Sequence, residues 1–532
     1  MRPTQPLPNY NGWLGPLDSI ILRGSAQLAE FVPLHTDPGN TGGFELVWRP
    51  SPSWNRSLQP PAMQSDSTTT DASKKAPENG LYSHRLLVLS FALIALGTAA
   101  AGLWNPFWEH QSELFAAIGV ASAGWAFAVF SAKRVSISVR WIVAGAILLR
   151  VVVLCGDPGL SDDVNRYVWE GGLVADQISP YAHAPDAEVY AERREEYAAI
   201  YAGLNNTSIS AAYPPFIEEV FGVLVWGAGM VGERGSESSL LMMRVFFTLC
   251  DLLVLWPLLA LLKRFGRPSS LAVVWAWCPL MVLEFAGSGH FDSLGVLTLM
   301  GALALLSCGD RTRAWHDGLG AVLTSASIFI KLLPLCLIPF MLRREGRLLR
   351  LSVLFGASLL WLLPFAFWQD GLASFDRGLT EYGTRWEGFN FVYSWIESSL
   401  DDLFGGDRDR SFTDPRLMGR GIIGLVWCAY LLFLVVKKCE PVHAVGQLVA
   451  LFLVLTPTLH PWYLAWILPF AALRPSWHWL WVLATGVFLY APLEVWNAAA
   501  EWSIPSWTWP VVALPFFTIV VANRLMDRDS EQ

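Results

Sequence analysis

Apolar windows recur along this chain from Leu86 to Val521, separated by short breaks rich in Arg, Lys, Gly and Pro. The windows fall near 86–105, 115–131, 137–156, 240–262, 270–287 and 292–308, then near 350–368, 419–437, 443–459, 461–473, 477–495 and 507–523. A helix of roughly 20 apolar residues crosses the hydrocarbon core of a bilayer. The stretch 316–342 is interrupted by Lys331 and Pro334, and reads as two half-length helices meeting at Lys331. The pattern predicts an all-α polytopic membrane protein of about 12–14 transmembrane segments.

The first 80 or so residues break the pattern. They are rich in Pro, Ser, Thr and Asn, carry SDSTTTDASKK just before the first window, and lack the charged start and continuous apolar core of a signal peptide. Residues 1–80 therefore read as a disordered extension, with Met63 as an alternative start that would make residues 1–62 an overcalled beginning. Residues 81–525 form the membrane domain, and 526–532 a cytoplasmic tail.

Orientation follows from the short basic loops. Lys133/Arg134/Arg140, Lys263/Arg264/Arg267, Arg311/Arg313, Arg343/Arg344/Arg347/Arg350, Lys437/Lys438 and Arg474 share one side if Tyr213 to Val231 does not cross; that side is expected to be cytoplasmic. The run from Tyr213 opens with Pro214, Pro215, Glu218 and Glu219, which suits a helix lying along the outer interface. The long connections 157–239, with 14 Asp/Glu against 4 Arg and no Lys, and 369–418 then fall on the external face of the plasma (inner) membrane.

Composition agrees: 53% of the 532 residues are hydrophobic and 15% charged, with a net charge of -8. All seven cysteines lie in or beside apolar runs with no CxxC pair or metal-ligand spacing, so neither disulfides nor a structural zinc are expected. The chain has no P-loop, no GxGxxG after a strand and no basic nucleic-acid patch, which argues against a nucleotide-driven pump and a nucleic-acid partner.

Chemistry concentrates in the breaks expected outside. Asp162 and Asp163 follow the third window; neighbouring carboxylates cannot both ionise cheaply, so one can serve as a base near neutral pH. Equally, Ser161 or Asp162 can cap a helix through VNRYVWEGGLVADQ. Arg166 and Tyr167 follow within a turn, where the guanidinium can meet a phosphate or an acidic neighbour. GSGHFDS puts His290 and Asp292 at a turn that needs only glycine, although Asp292 could be a cap. Lys331, deep in an apolar run, is expected to snorkel outward and suits a phosphate. In LTPTLHPWYLAW an aromatic belt explains Trp462 and Tyr463 but not His460. YGTRWEGFNFVYSW joins Arg385, Glu387 and Asn390 to aromatic faces, which suits a sugar ring or an amphipathic helix on the bilayer.

SDDVNRYVWEGGLVADQISPYAHAP, AAYPPF, EFAGSGHFDSL, IKLLPL, RWEGFNF and LTPTLHPWYLAW occur in that order, and together resemble the bacterial polyprenyl-phosphate-mannose-dependent mannosyltransferases and related hexosyltransferases of the GT-C fold, from about residue 137 to 470. The resemblance implies a GT-C-like bundle with an outer catalytic loop and interfacial helices. It also implies an inverting enzyme that moves a hexose, mannose first, from a polyprenyl-phosphate sugar to a hydroxyl of a glycan, lipid or protein on the external face. Carried over residue by residue, it makes Asp162 the base with Asp163 beside it, and places Tyr213, His290, Asp292, Lys331, His460, Trp462 and Tyr463 in the site. The stretch WEGGLVADQIS, with Gly172, departs from the family's usual sequence after the first motif. No nucleotide or redox cofactor is required. The acidic pair is also of a kind that binds a divalent cation, so metal dependence stays open.

A transporter or flippase of a lipid-linked sugar is the rival reading. It calls for paired broken helices in inverted repeats, whereas one broken hairpin is present and the candidates gather at one face. A non-catalytic scaffold subunit would explain the aromatic loops but not the acidic pair.

Overall fold

The computed structural model describes residues 76–529 apart from 103–108, 157–158, 308–313, 344, 369, 405–413 and 500–501. The expected disordered extension lies outside the described residues, apart from its last few positions, which begin the first helix at Ala76. Among the described residues the regular elements are all helical. The apolar windows become, in order, α1 (Ala76–Ala101), α2 (Gln111–Ala132) and α3 (Val139–Leu154) before the acidic loop. That loop contains α4 (Asp163–Ala175) and α5 (Pro215–Ala228). Beyond it come α6 (Glu237–Leu253), α7 (Leu255–Arg264), α8 (Asp292–Leu306) and α9 (Ala314–Ile328).

Among the described residues five helices are long and apolar enough to cross a membrane: Gln111–Ala132, Glu237–Arg264, Pro415–Val436, Trp477–Trp496 and Thr508–Met526. The expectation of 12–14 crossing segments differs from this number because several windows are realised as short or broken helices. Ser269–Ala276 and Pro279–Gly287 meet at a 56° bend, and the apolar helices Asp292–Leu306 and Pro441–Leu455 have 15 residues each. Proline supplies part of the reason: Pro279 and Pro461 each open a new helical segment at its first turn, where the missing N–H has no intrahelical role.

The break at Lys331 is observed. α9 ends at Ile328, and a short helical turn resumes only at Leu333. α5, expected to lie along the interface, has 14 residues and so rises about 21 Å, short of the ~30 Å core.

α4 and α5 pack face to face, with Tyr167 stacked on Phe221 at 4.8 Å. Gly171 and Gly222 permit this approach: a Cβ on Gly171 would lie 2.6 Å from the Phe221 carbonyl oxygen, and one on Gly222 would lie 2.4 Å from Val174. Val164, Tyr167, Phe221, Phe247, Phe291 and Ile330 join one buried cluster, so the acidic loop is docked on α6 and α8. Deeper among the helices, Arg150 on α3 and Asp251 on α6 form a buried ion pair at 2.6 Å. The Trp275 indole N–H donates to the Asp251 carbonyl, and Arg150 reaches the Ala276 carbonyl, tying in the first arm of the bent pair.

Candidate active site

Asp162 stands at the N-cap position of α4, but its side chain accepts no capping hydrogen bond. The Asp163 N–H is met instead by Ser161 Oγ at 3.3 Å. The two carboxylates turn to Asn205, whose Nδ2 donates to Asp162 Oδ1 at 2.7 Å and Asp163 Oδ1 at 3.0 Å. Asn205 is in turn held by Arg166, which donates to Glu170 and to the carbonyls of Asn205, Asn206 and Ile209. Arg166 is thus occupied in bracing the 205–209 loop, and its fork is not offered to a phosphate.

Asp162 reaches solvent, whereas Asp163 is partly buried and faces inward. Burial, then the charges of Asp162 and Asp292, push Asp163 up to about 6 against the opposing pull of Asn205 and Arg166. Asp162 is also raised, chiefly by burial of its carboxyl among its neighbours. Asp163 lies within electrostatic reach of Lys331, Tyr167, Tyr213, Tyr382 and Glu284, groups from five separate stretches of chain.

The turn carrying His290 and Asp292 is fully buried within the protein. Buried polar groups need partners, and the fold supplies them. Asp292 Oδ1 accepts from Lys331 Nζ at 2.7 Å and from the Trp466 indole N–H at 2.5 Å. The N-cap position of α8 is Phe291, and Asp292, its first residue, accepts from Lys331 and Trp466 rather than from a backbone N–H of the helix, so capping is not its part. His290 Nδ1 lies 3.1 Å from the Tyr167 hydroxyl, and Nε2 lies 3.3 Å from Glu284 Oε2. Gly289 makes this turn possible at φ +72°, a backbone that other residues rarely adopt.

Lys331 does not reach away from the protein. Its ammonium pairs with Asp292 and lies 3.7 Å above the Tyr463 ring, leaving further N–H groups for an anion. Trp462 lies nearly parallel to His290 at 3.9 Å and to His460 at 4.4 Å, and the Tyr382 and Tyr463 hydroxyls are hydrogen-bonded. Burial, then Lys331, hold His460 down at about 3, so it is neutral. Tyr213 packs edge-on against Tyr167 and Phe291.

Asp162, Asp163, Tyr167, Tyr213, His290, Asp292, Lys331, His460, Trp462 and Tyr463 are therefore brought together. Arg385 and Asn390 are not. Arg385 is largely exposed and pairs with Glu381, one turn earlier, at 3.1 Å. Asn390 Oδ1 accepts from the Ser394 N–H and Oγ, each at 2.9 Å, at the start of the helix Tyr393–Phe404. The same loop contributes Tyr382 instead. Sequence reasoning also missed Asn205, Glu284, Trp466 and Tyr490. Glu284 carries a readable signal, being a carboxylate inside an apolar window. Asn205 carries none, because its role depends on a contact across some 40 residues. Among the described residues no three His, Cys, Asp or Glu side chains are placed to hold a metal ion.

An acidic pair, a cation over an aromatic ring and a wall of stacked aromatics, set on a helical frame with membrane-length helices, suit group transfer to a sugar. The protein is a membrane glycosyltransferase of the mannosyltransferase class. Residues 79–344 match the model of the MptA_B family, alpha-(1->6)-mannopyranosyltransferase, N-terminal domain, and the chain belongs to that family. No curated protein and no solved structure matches it significantly. Tyr382, His460, Trp462, Tyr463, Trp466 and Tyr490 lie beyond the matched segment, so the second half of the chain completes the site.

Proposed function

We propose that this mannosyltransferase takes mannose from a polyprenyl monophosphate and passes it, with inversion, to an acceptor hydroxyl on the external face, with Asp163 as the base. The observation that carries this reading is the placement of an inward-facing carboxylate with a proton affinity near neutrality in reach of the Lys331–Asp292 pair. A general base works best when its pKa lies near the operating pH. The resemblance puts the base at Asp162. Its more exposed position and the inward aim of Asp163 favour exchanging the two roles, with Asp162 raising the proton affinity of its neighbour.

Asp163 takes the acceptor proton as the acceptor oxygen bonds to C1 of the mannose. The C1–O bond to the phosphate breaks, and the electron pair leaves on polyprenyl monophosphate. Lys331 steadies that charge, since two of its N–H groups remain for the phosphate oxygens. A single inversion gives the α linkage of the family's description if the donor is β-linked. The polyprenyl chain stays in hydrocarbon while its phosphosugar enters the polar cleft, which accounts for a site built where the acidic loop docks on membrane helices.

Purified protein in lipid, given labelled polyprenyl-phosphate mannose and an acceptor, should transfer label. Asp163→Asn should lower the rate ~100-fold or more. Transfer at the wild-type rate by Asp163→Asn, with loss in Asp162→Asn, returns the base to Asp162. Full activity in both and in the double variant removes the acidic pair from the chemistry.

A further inference from the structure

Glu284 takes no part in the steps above, yet it is fully buried. It sits in the π-helical turn Leu283–Gly287, and such wide turns recur where a side chain must leave the regular helical face. The Tyr490 hydroxyl donates to its two oxygens at 3.1 and 3.0 Å. His290 Nε2 lies 3.3 Å from Oε2, off the axis of a conventional hydrogen bond, while Nδ1 faces the Tyr167 hydroxyl at 3.1 Å.

A neutral imidazole has one N–H and one lone pair. A lone pair on Nε2 turned toward a carboxylate oxygen at this distance is repelled, whereas an N–H there is attracted. The proton therefore belongs on Nε2. Nδ1 becomes the acceptor, and Tyr167 must donate its hydroxyl proton to His290. Tyr167 lies four residues after Asp163 on α4, on the same helical face and within electrostatic reach of its carboxylate. A hydroxyl committed to His290 cannot donate to Asp163, and a donor to Asp163 would stabilise its charge and weaken it as a base.

We propose that Glu284 is a positioning residue for the transfer: with Tyr490 it fixes His290 in the Nε2–H tautomer, which keeps the Tyr167 hydroxyl proton away from Asp163. The inference rests on the reading of Asp163 as base.

Two measurements on the full-length protein in lipid test it. The first is independent of any donor: the ¹⁵N spectrum of the histidine-labelled protein, with His290 assigned by its loss in His290→Asn. His290 should carry its proton on Nε2 in the wild type and on Nδ1 in Glu284→Gln, whose amide N–H faces Nε2. A wild-type Nδ1–H overturns the inference whatever the enzyme's substrate proves to be. The second is kinetic. Glu284→Gln should express and fold normally, leave the donor KM within about twofold, and lower kcat about tenfold or more, as loss of an imidazole's orienting partner commonly does. The acidic limb of its kcat profile should move to lower pH as Tyr167 turns to Asp163. Glu284→Asp, which keeps the carboxyl group, should recover part of kcat and of the profile. Unchanged kcat and limb in Glu284→Gln, or a weaker Glu284→Asp than Glu284→Gln, overturn it. If Asp163→Asn stays active while the tautomer result holds, the base assignment fails and the tautomer control stands.

Discussion

Asp163 and Asp162 differ by one position in the chain and by their surroundings in the fold. As the proposed base, Asp163 must lose its proton to act, so activity should rise with pH through about 6 and fall below it. Asp162→Asn removes a like charge, which lowers the proton affinity of Asp163. The acidic limb should then move below 6 while transfer persists; a kcat profile across pH 4–8 checks this. A second carboxyl pair predicts a stability effect. Glu218 on α5 is fully buried and, among the described residues, no N–H or O–H donates to it; Glu170 on α4 meets it while accepting from Arg166. Two carboxyls in contact must share a proton, and burial, then Glu170, push Glu218 well above its ordinary value. The folded state holds this proton where the unfolded state, with a value of about 4.3, has released it. Stability is therefore lost as pH rises above that unfolded value. Glu218→Gln should raise the Tm at pH 8 and leave it nearly unchanged at pH 4, as thermal unfolding at the two pH values will show. The acidic pair could be read from the sequence because carboxylates are adjacent there. The Glu170–Glu218 pair and Asn205 could not, because their partners come from other elements.

At the scale of elements, the α4–α5 contact governs where the acidic pair sits. Gly171→Ala would drive a Cβ against the Phe221 carbonyl, which is backbone and cannot swing aside. Overpacking of this kind costs about 1–3 kcal/mol, so Gly171→Ala should lower the Tm and reduce kcat by moving Asp163. The Arg150–Asp251 pair makes a stronger statement about the helical frame. Arg150→Met leaves Asp251 buried without its cation, and the loss should reach ~3–5 kcal/mol, measured as reduced thermal stability in lipid or as a loss of folded yield. Element positions were legible from apolar windows: α2, α3, α6 with α7, and α8 lie where the windows predict, and the break at Lys331 follows from one Lys and one Pro. Continuity was not. A window such as 270–287 has the same composition whether it forms one straight span or two arms bent by 56°. The choice depends on the partners each arm finds.

For the whole molecule, the windows in Pro415–Val436 and Thr508–Met526 are each only 17% buried, with Leu425, Leu432 and Val521 among the exposed residues, as expected of helices that face lipid. Orientation is checked with single cysteines in an otherwise cysteine-free chain. Exposed positions in the acidic loop, Glu195→Cys and Glu237→Cys, should react with an impermeant reagent in intact cells, and Arg264→Cys only after lysis. Reaction of Glu237→Cys only after lysis reverses the proposed orientation. By itself the sequence determined that the chain is helical and membrane-embedded, where its polar breaks fall, and which family its ordered motifs resemble. Hydropathy and motif order are properties of a one-dimensional string. Only the tertiary structure decided which breaks meet. It buried His290 and Asp292, paired Lys331 with Asp292, engaged Arg166 in bracing a loop, and left Arg385 and Asn390 outside the site. The physical reason is that a buried polar group is stable only with a partner, and the partners of Asp292 and Glu284 come from stretches 39 and 206 residues away.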